Sequence, residues 1–263
     1  MKSIKIKEKS LRKNYPILEF DPEDGIISPD HDPDLPQIPE RCVMSFFNDV
    51  LTDMHARGEL EIIDYLTSEN GPNPIYKTRK GQVEVVVVHP GVGAPLAAGF
   101  MDELIARGAR KFIVCGGAGV LDKKIAQGHL IIPVAAIRDE GTSYHYLPPG
   151  REVEANPECV ESLERTMKAR GISYLLTKTW TTDSFFRETK EKIKLRKLEG
   201  CLTVEMEASA LFAVAKFRNV ILAEVLYAGD DVSGDKWDRR EWPGRGSIRE
   251  DLIRISIEAC ANL

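Results

Sequence analysis

Two glutamates flank a methionine at positions 205–207, where a short β-branched run gives way to a helix-favouring one. From Ala208 onward the residues are small or apolar, which predicts a helix that packs against a core. Glu205 and Glu207 then stand at the start of this helix, where backbone N–H groups favour negative charge. Acids at such positions often only complement the helix dipole, so their role depends on the rest of the chain.

Two glycine-rich segments follow predicted strands, and we interpret both as turns. Residues 89–95 include Gly93 and open a predicted helix, whereas residues 115–121 include Gly117 and Gly119. Glycine lets a backbone approach a ligand closely, and exposed N–H groups at such turns bind anions or sugar hydroxyls. The first segment lacks the last glycine of a dinucleotide fingerprint, and no acid ends the next strand. A nicotinamide-dependent oxidoreductase is therefore only a remote alternative.

Three further polar segments follow predicted strands, at residues 136–146, 181–187 and 227–235. They contain Arg138 in the first of these segments and Asp230 in the last. Each segment alone is compatible with an ordinary turn, because Asp and Gly are common at strand ends. Loops at strand ends are also where open α/β sheets bind ligands, so the three segments are candidates for one site.

The composition is that of a globular protein, with 263 residues, 43% hydrophobic residues, 29% charged residues and a net charge of −5. No basic stripe with interleaved aromatics predicts a nucleic-acid partner, and no apolar run is long enough to cross a membrane. Five scattered cysteines and five dispersed histidines give no metal-ligand spacing, so we expect no metal. The unpaired cysteines and the lack of a secretory signal predict a cytoplasmic protein.

The chain divides into an extended arm rich in Pro and Asp at residues 1–40 and a single domain at residues 41–263. Proline restricts its own backbone and that of its neighbour, which favours an extended arm that wraps a surface. In the domain, apolar runs such as Val83–Val88 alternate with helical patterns such as Pro157–Arg170. This alternation predicts an α/β fold with a largely buried central sheet.

Together and in this order, the five segments resemble the nucleoside phosphorylase superfamily, which includes uridine phosphorylase, hexameric purine nucleoside phosphorylase and methylthioadenosine nucleosidase. The resemblance runs from about Arg41 to the C-terminus, and its most specific element is Val-Glu-Met-Glu-Ala-Ser at residues 204–209. It implies a three-layer α/β/α sandwich of the purine and uridine phosphorylase type, with a mixed and partly barrelled central sheet. It also implies a homo-oligomer built from dimers, possibly a hexamer, that uses no cofactor and takes inorganic phosphate as a possible co-substrate.

The resemblance assigns roles around the nucleoside. Glu207 and Met206 match the residues that hold the ribose, where a carboxylate stabilises the positive charge that glycosidic cleavage builds on the sugar. Phe185 and Glu205 match base-binding positions, and Phe185 is expected to stack on the base. Asp230 matches the acid that protonates the departing purine, although its neighbour Asp231 fits the same position almost as well.

The glycine segments complete the expected site. Gly117 and Gly119 are expected to approach the ribose, and Gly93, Gly117 and Arg138 are candidates for the site of the nucleophile or of an anion. The chain also departs from the family pattern. An acid, Asp49, stands where phosphorylases carry a phosphate-binding arginine, and valine replaces the arginine before the second glycine segment.

These departures keep several functions open. A dianionic phosphate binds poorly without charge-assisted donors, so hydrolysis by water is nearly as well supported as phosphorolysis. A nucleoside-binding protein without turnover is a third candidate. The Gln-x-Arg pair that reads uracil is absent after the aromatic pair, and Asp230 favours a purine over a pyrimidine.

Overall fold

The computed structural model describes residues 15–29, 35–240 and 246–263. The strands are β1 (Arg41–Ser45), β2 (Glu61–Ser68), β3 (Gly71–Lys80), β4 (Val83–Val88), β5 (Lys111–Val120), β6 (Leu130–Asp139), β7 (Glu152–Glu154), β8 (Tyr174–Thr182), β9 (Cys201–Glu205) and β10 (Ile221–Asp231). The helices are α1 (Asn48–Ala56), α2 (Ala94–Ala106), α3 (Ser143–Tyr146), α4 (Pro157–Ala169), α5 (Lys190–Leu198), α6 (Ala208–Phe217) and α7 (Gly246–Ala261).

All ten strands belong to one mixed sheet, part of which closes on itself. Strand β10 pairs with both β5 and β6, so β5, β10, β6, β8 and β9 form a closed ring. The remaining strands extend from β5 in the order β1, β4, β3 and β2, and β7 pairs with β6. This topology confirms the mixed and partly barrelled sheet that the resemblance implies.

The helices pack on the sheet in two groups. Helix α6 contacts α2 and α3 as well as β10 and β6, while α7 contacts α1 and α4 as well as β5, β1 and β4. The core between these layers includes all four valines Val85–Val88 and almost the whole of α6. Burial of every side chain from Ala208 to Ala215 confirms that the helix after the two glutamates packs against the core.

The second glycine-rich segment is a strand and not the turn that the sequence suggested. Strand β5 continues through Gly116, Gly117 and Gly119 and pairs with β10 and β9. The physical reason is crowding, because a Cβ atom on Gly117 would lie 2.9 Å from the ring of the fully buried Tyr227. The glycines here allow close packing of neighbouring strands and do not serve to reverse the chain.

The hairpin formed by β2 and β3 was not predicted, because Pro72 and Pro74 argue against a strand in that stretch. Both prolines pair only with β2, whereas the pairing of β3 with β4 begins at Ile75. The prolines are therefore tolerated where β3 has a neighbour on one side only.

The described part of the N-terminal arm lies on the surface of the domain. It forms one short 3-10 turn at Pro16–Leu18, next to α3, and Asp24 forms an ion pair with Arg218 at the end of α6. The Ile38 N–H donates to the carbonyl of Arg107 (2.8 Å). The rest of the predicted arm, residues 1–14 and 30–34, lies outside the described residues, and the division at residue 40 stays a prediction.

Candidate active site

Glu207 occupies the position before the first residue of α6, and its carboxylate reaches across to the turn that precedes α2. The Gly93 N–H donates to Oε1 of Glu207 (2.5 Å), and the Met206 N–H donates to Oε2 (3.2 Å). The side chain is buried, and this burial, together with the charge of Glu205, raises the pKa of Glu207 to about 8. Glu207 therefore joins two chain segments that are more than a hundred residues apart in sequence.

Glu205 has a different environment, although it lies only two residues away. Its Oε2 atom accepts hydrogen bonds from the N–H groups of Glu207 (2.7 Å) and Ala208 (2.6 Å), and Thr181 Oγ1 donates to Oε1 (2.7 Å). Glu205 therefore caps the start of α6, which is the ordinary role of an acid at a helix start. With both oxygens engaged inside the protein, the base contact expected for Glu205 stays a prediction that this geometry does not support.

The turn between β4 and α2 has the geometry that the sequence indicated. Gly91 and Gly93 both have positive φ, and a Cβ atom on Gly91 would clash with the side chain of Leu96. Gly93 directly precedes α2, so its N–H group points out of the helix start and is available to an acceptor. Glu207 is that acceptor in this structure, which places Gly93 within the candidate site.

Asp230, at the end of β10, lies over the glycine segment of β5. Its Oδ1 atom lies 3.5 Å from the place where a Cβ atom of Gly119 would stand, and the indole N–H of Trp237 donates to Oδ2 (2.6 Å). Gly119 pairs with Val204, the residue that leads into the two glutamates. The structure therefore places Asp230 and Gly119 at the same end of the molecule as Glu207.

Asp231 is engaged elsewhere. It forms a largely buried ion pair with Arg240 (2.9 Å) and accepts a hydrogen bond from the N–H of Ser233 (2.7 Å). Its backbone also pairs with Asp238, which closes the loop after β10. This geometry favours Asp230 over Asp231 as the acid that faces a ligand.

Three aromatic residues lie in the segments that follow β8 and β10. Phe185 and Phe186 form a short 3-10 turn with their ring centroids 4.2 Å apart, and Trp237 contacts Asp230 directly. All three are exposed. We call Phe185, Phe186 and Trp237 the aromatic rim. The ring of Phe185 is accessible, its stacking on a base stays a prediction, and Met206 is partly buried beside Glu207.

Arg138 is buried, and its guanidinium is engaged by its own loop. It donates to the hydroxyl (2.9 Å) and carbonyl (2.9 Å) of Ser143 and to the carbonyls of Leu147 (3.2 Å) and Pro148 (2.8 Å). Tyr144 stacks against the same group. Arg138 therefore stabilises this loop. The anion contact expected for Arg138 stays a prediction that this geometry does not support.

Two other arginines are also engaged in ion pairs. Arg79 pairs with Glu84, and Arg240 pairs with Asp231. Asp49, which the resemblance sets against a phosphate-binding arginine, pairs with Arg249 (2.8 Å). Within the described residues, no lysine or arginine contacts Gly93 or Glu207.

Sequence reasoning missed two buried acids behind the site. Glu224 on β10 is 1% exposed, and its Oε2 atom has no hydrogen-bond partner among the described residues. Glu140 accepts hydrogen bonds from the N–H of Ser143 (2.8 Å) and the hydroxyl of Ser209 (2.8 Å), so it ties the loop after β6 to α6. An acid within an apolar strand was the only signal in the sequence that pointed to Glu224.

Among the described residues, no group of three or more His, Cys, Asp or Glu side chains is arranged to hold a metal ion. None of the described helices is long and apolar enough to cross a membrane.

Comparison with known proteins agrees with this geometry. The family model described as the phosphorylase superfamily matches residues 43–249. Uridine phosphorylase from Treponema pallidum is 30% identical over 209 residues, which cover 72% of this chain and 78% of that protein. Uridine phosphorylase from Haemophilus influenzae is 31% identical over 144 residues, 49% of this chain and 57% of that protein, so the match to this relative spans little more than half its length.

Solved structures show the same fold at low sequence identity. Purine nucleoside phosphorylase from Toxoplasma gondii, in complex with immucillin-H, superposes with a TM-score of 0.74 at 19% identity and covers 91% of this chain and 98% of its own. AMP nucleosidase from Bacteroides thetaiotaomicron superposes with a TM-score of 0.68 at 22% identity and covers 84% of this chain and 87% of its own.

Proposed function

The chain belongs to the phosphorylase superfamily, and from that premise we propose that it cleaves the N-glycosidic bond of a nucleoside by phosphorolysis. The products are the free base and ribose 1-phosphate. The single observation that carries the proposal is the Glu207 carboxylate, which is buried at the start of α6 and bonded to the Gly93 N–H. Uridine, purine and guanosine phosphorylases among the relatives support the reaction class.

The steps at the sugar and at the base have residues that can perform them. Glu207 orients the ribose hydroxyls and stabilises positive charge on the sugar as the bond to the base breaks. A phosphate oxygen attacks C1′, and the electron pair of the broken bond leaves with the base. Asp230 donates a proton to the departing ring nitrogen, while Phe185 stacks on the base and Trp237 holds the Asp230 carboxyl in place.

Hydrolysis is the second candidate, and a specific observation favours it. Among the described residues no cation contacts Gly93 or Glu207, and phosphate binding ordinarily relies on charge-assisted donors. A water nucleophile needs no such cation. A third candidate is a protein that binds a nucleoside without turnover.

Three finer features remain part of this proposal. We propose a homo-oligomer built from dimers, because the aromatic rim is exposed on the single chain and offers surface for a second copy. The five cysteines are all buried free thiols, which is compatible with the reduced cytoplasm that we predict. A role in nucleoside salvage follows if the products are a free base and a sugar phosphate.

The test is product analysis of purified protein incubated with purine and pyrimidine nucleosides, with and without phosphate. Ribose 1-phosphate formed only with phosphate supports phosphorolysis, whereas free ribose formed without phosphate establishes hydrolysis. Glu207→Gln is expected to lower kcat by about 100-fold or more, the range seen when a group that stabilises transition-state charge is removed. Glu69→Gln, an exposed loop substitution, is the matched control.

Two outcomes contradict the proposal. Unchanged nucleoside under both conditions, with measurable binding, means a nucleoside-binding protein. A kcat for Glu207→Gln equal to that of Glu69→Gln removes Glu207 from the mechanism.

A further inference from the structure

Glu188 is an acid beside Phe185, the residue on which the base is expected to stack, and the proposed mechanism does not use it. It directly follows the 3-10 turn that carries Phe185 and Phe186, and it precedes α5. Its side chain is partly buried, yet within the described part of the chain its carboxylate makes no hydrogen bond or ion pair. A partly buried carboxylate without donors is unfavourable, so the position calls for a partner.

Glu188 lies close to Asp230. The two segments that carry these acids are joined by the ion pair between Lys190 and Asp235 (2.5 Å), and α5 continues along the loop after β10. Burial and the nearby charge of Asp230 raise the pKa of Glu188 to about 7. The carboxyl groups of Glu188 and Asp230 therefore lie near each other, and Glu188 directly follows the turn that carries Phe185, on which the base is expected to stack.

The substituent at C6 of a purine determines whether the base can donate a hydrogen bond to a carboxylate beside Asp230. Asp230 is the candidate acid that protonates a ring nitrogen of the departing purine. The substituent at C6 lies beside that nitrogen. An amino group there donates to a neighbouring carboxylate. An oxo group at the same place offers only lone pairs, which a carboxylate repels.

We propose that Glu188 reads the base by accepting a hydrogen bond from an exocyclic amino group, so that the site favours 6-aminopurine nucleosides over 6-oxopurine nucleosides. This inference rests on the proposed cleavage of a nucleoside at the same site. It assigns a substrate preference that the glycosidic chemistry of Glu207 does not by itself require.

The experiment compares kcat/KM at pH 8, where Glu188 is mostly ionised, for adenosine and inosine, which carry an amino and an oxo group at C6. For the wild type we expect a ratio of about tenfold or more in favour of adenosine, the size of one hydrogen bond to a charged group. In Glu188→Gln the ratio is expected to fall towards one, because a neutral amide also donates to an oxo group. Since both substrates are measured on the same variant, the ratio does not depend on how much protein is folded.

The matched control is Glu191→Gln, which removes the same charge from an exposed position in the first turn of α5. We expect it to keep the wild-type ratio. Base release with a ratio that Glu188→Gln leaves unchanged overturns the role of Glu188 and leaves the proposed function standing. A wild type that prefers inosine also overturns it.

Absence of base release from every nucleoside overturns the proposed function instead. In that event the dissociation constants of adenine and hypoxanthine, measured by calorimetry, decide the role of Glu188. A preference for adenine that falls towards one in Glu188→Gln supports base reading, and a preference that does not change overturns it.

Discussion

At the scale of single residues, buried glutamates in and behind the candidate site disfavour one another's charge. Burial raises the pKa of Glu205 to about 7, that of Glu207 to about 8 and that of Glu224 well above its ordinary value, and the charges of Glu205 and Glu207 raise the pKa of Glu224 further. A carboxyl whose pKa is raised by folding favours the folded state below its unfolded pKa and loses that contribution as pH rises through the folded pKa. We therefore expect these glutamates to lower the free energy of unfolding as the pH rises.

The ionisation of Glu207 predicts how activity depends on pH. Only the ionised carboxylate stabilises positive charge on the ribose, and its fraction increases with pH up to a pKa of about 8. We expect kcat/KM to rise by about tenfold per pH unit below this value and then to level off. A pH profile from 6 to 9.5 tests this. A flat profile across that range means that Glu207 is already ionised at neutral pH or does not act on the transition state.

The buried Oε2 atom of Glu224 has no hydrogen-bond partner among the described residues, which predicts that Glu224 affects thermal stability in a pH-dependent way. Glu224→Gln keeps the shape of the side chain but has no charge to ionise, so the variant avoids the cost of a buried carboxylate at high pH. We expect its Tm to exceed that of the wild type at pH 9, by about 2–4 °C for each kcal/mol relieved, with a smaller difference at pH 5. Thermal unfolding at both pH values checks this. Equal differences at the two pH values would show that Glu224 does not titrate in this range.

At the scale of elements, the glycine segment of β5 lets β10 and β9 approach the strand closely enough to bring their acids together. Gly117 lies opposite Tyr227, and Gly119 lies beneath the carboxyl of Asp230. A Cβ atom at Gly117 would press against Tyr227 of β10, and one at Gly119 would lie 3.1 Å from Val204 of β9. The segment therefore works through packing, and this role differs from the ligand-binding turn that the sequence suggested.

Two glycine substitutions distinguish the effect of crowding on stability from the effect of backbone flexibility. Gly117→Ala places a methyl group 2.9 Å from the buried ring of Tyr227, so we expect it to lower the free energy of unfolding by about 1–3 kcal/mol. Gly99→Ala in α2 has no atom within 4 Å of the added methyl group, and we expect it to increase that free energy by about 0.5–1 kcal/mol. Denaturant unfolding of both variants provides the measurement. A neutral Gly117→Ala would mean that Tyr227 moves aside at little cost.

At the scale of the whole molecule, the closed ring of β5, β10, β6, β8 and β9 gathers segments that are distant in sequence. Glu207 follows β9, Asp230 is the last residue but one of β10, and the Gly93 turn follows β4, which joins the ring through β1. The aromatic rim is exposed around this site in the single chain. Exposed aromatic side chains grouped around a pocket are typical of a surface that a partner covers.

We therefore predict that the protein is an oligomer in solution and that the aromatic rim contributes to the interface. Sedimentation at micromolar concentration is expected to give a species of at least twice the chain mass of 29.4 kDa. Phe186→Ser removes the most exposed ring of the rim and is expected to weaken association, whereas Leu198→Ser, an exposed apolar position on α5, serves as the control. A monomer for the wild type would show that the rim is open to solvent.

The sequence by itself determined the family, the α/β class and the position of Glu207, because these follow from local patterns and from a motif that is contiguous in the chain. It also pointed to Asp230, but did not separate that residue from Asp231. The tertiary structure favours Asp230, since the Arg240 ion pair engages Asp231 when the loop after β10 folds back.

Only the tertiary structure showed that Glu205 caps a helix, that Arg138 holds a loop, and that Glu188 and Glu224 face the other acids. It also showed that the second glycine-rich segment, predicted as a turn, is a strand, and that Pro72 and Pro74 lie in a hairpin. The physical reason is the same in each case. The role of a polar side chain or a glycine depends on which distant segment packs against it, and that contact is encoded by the whole fold.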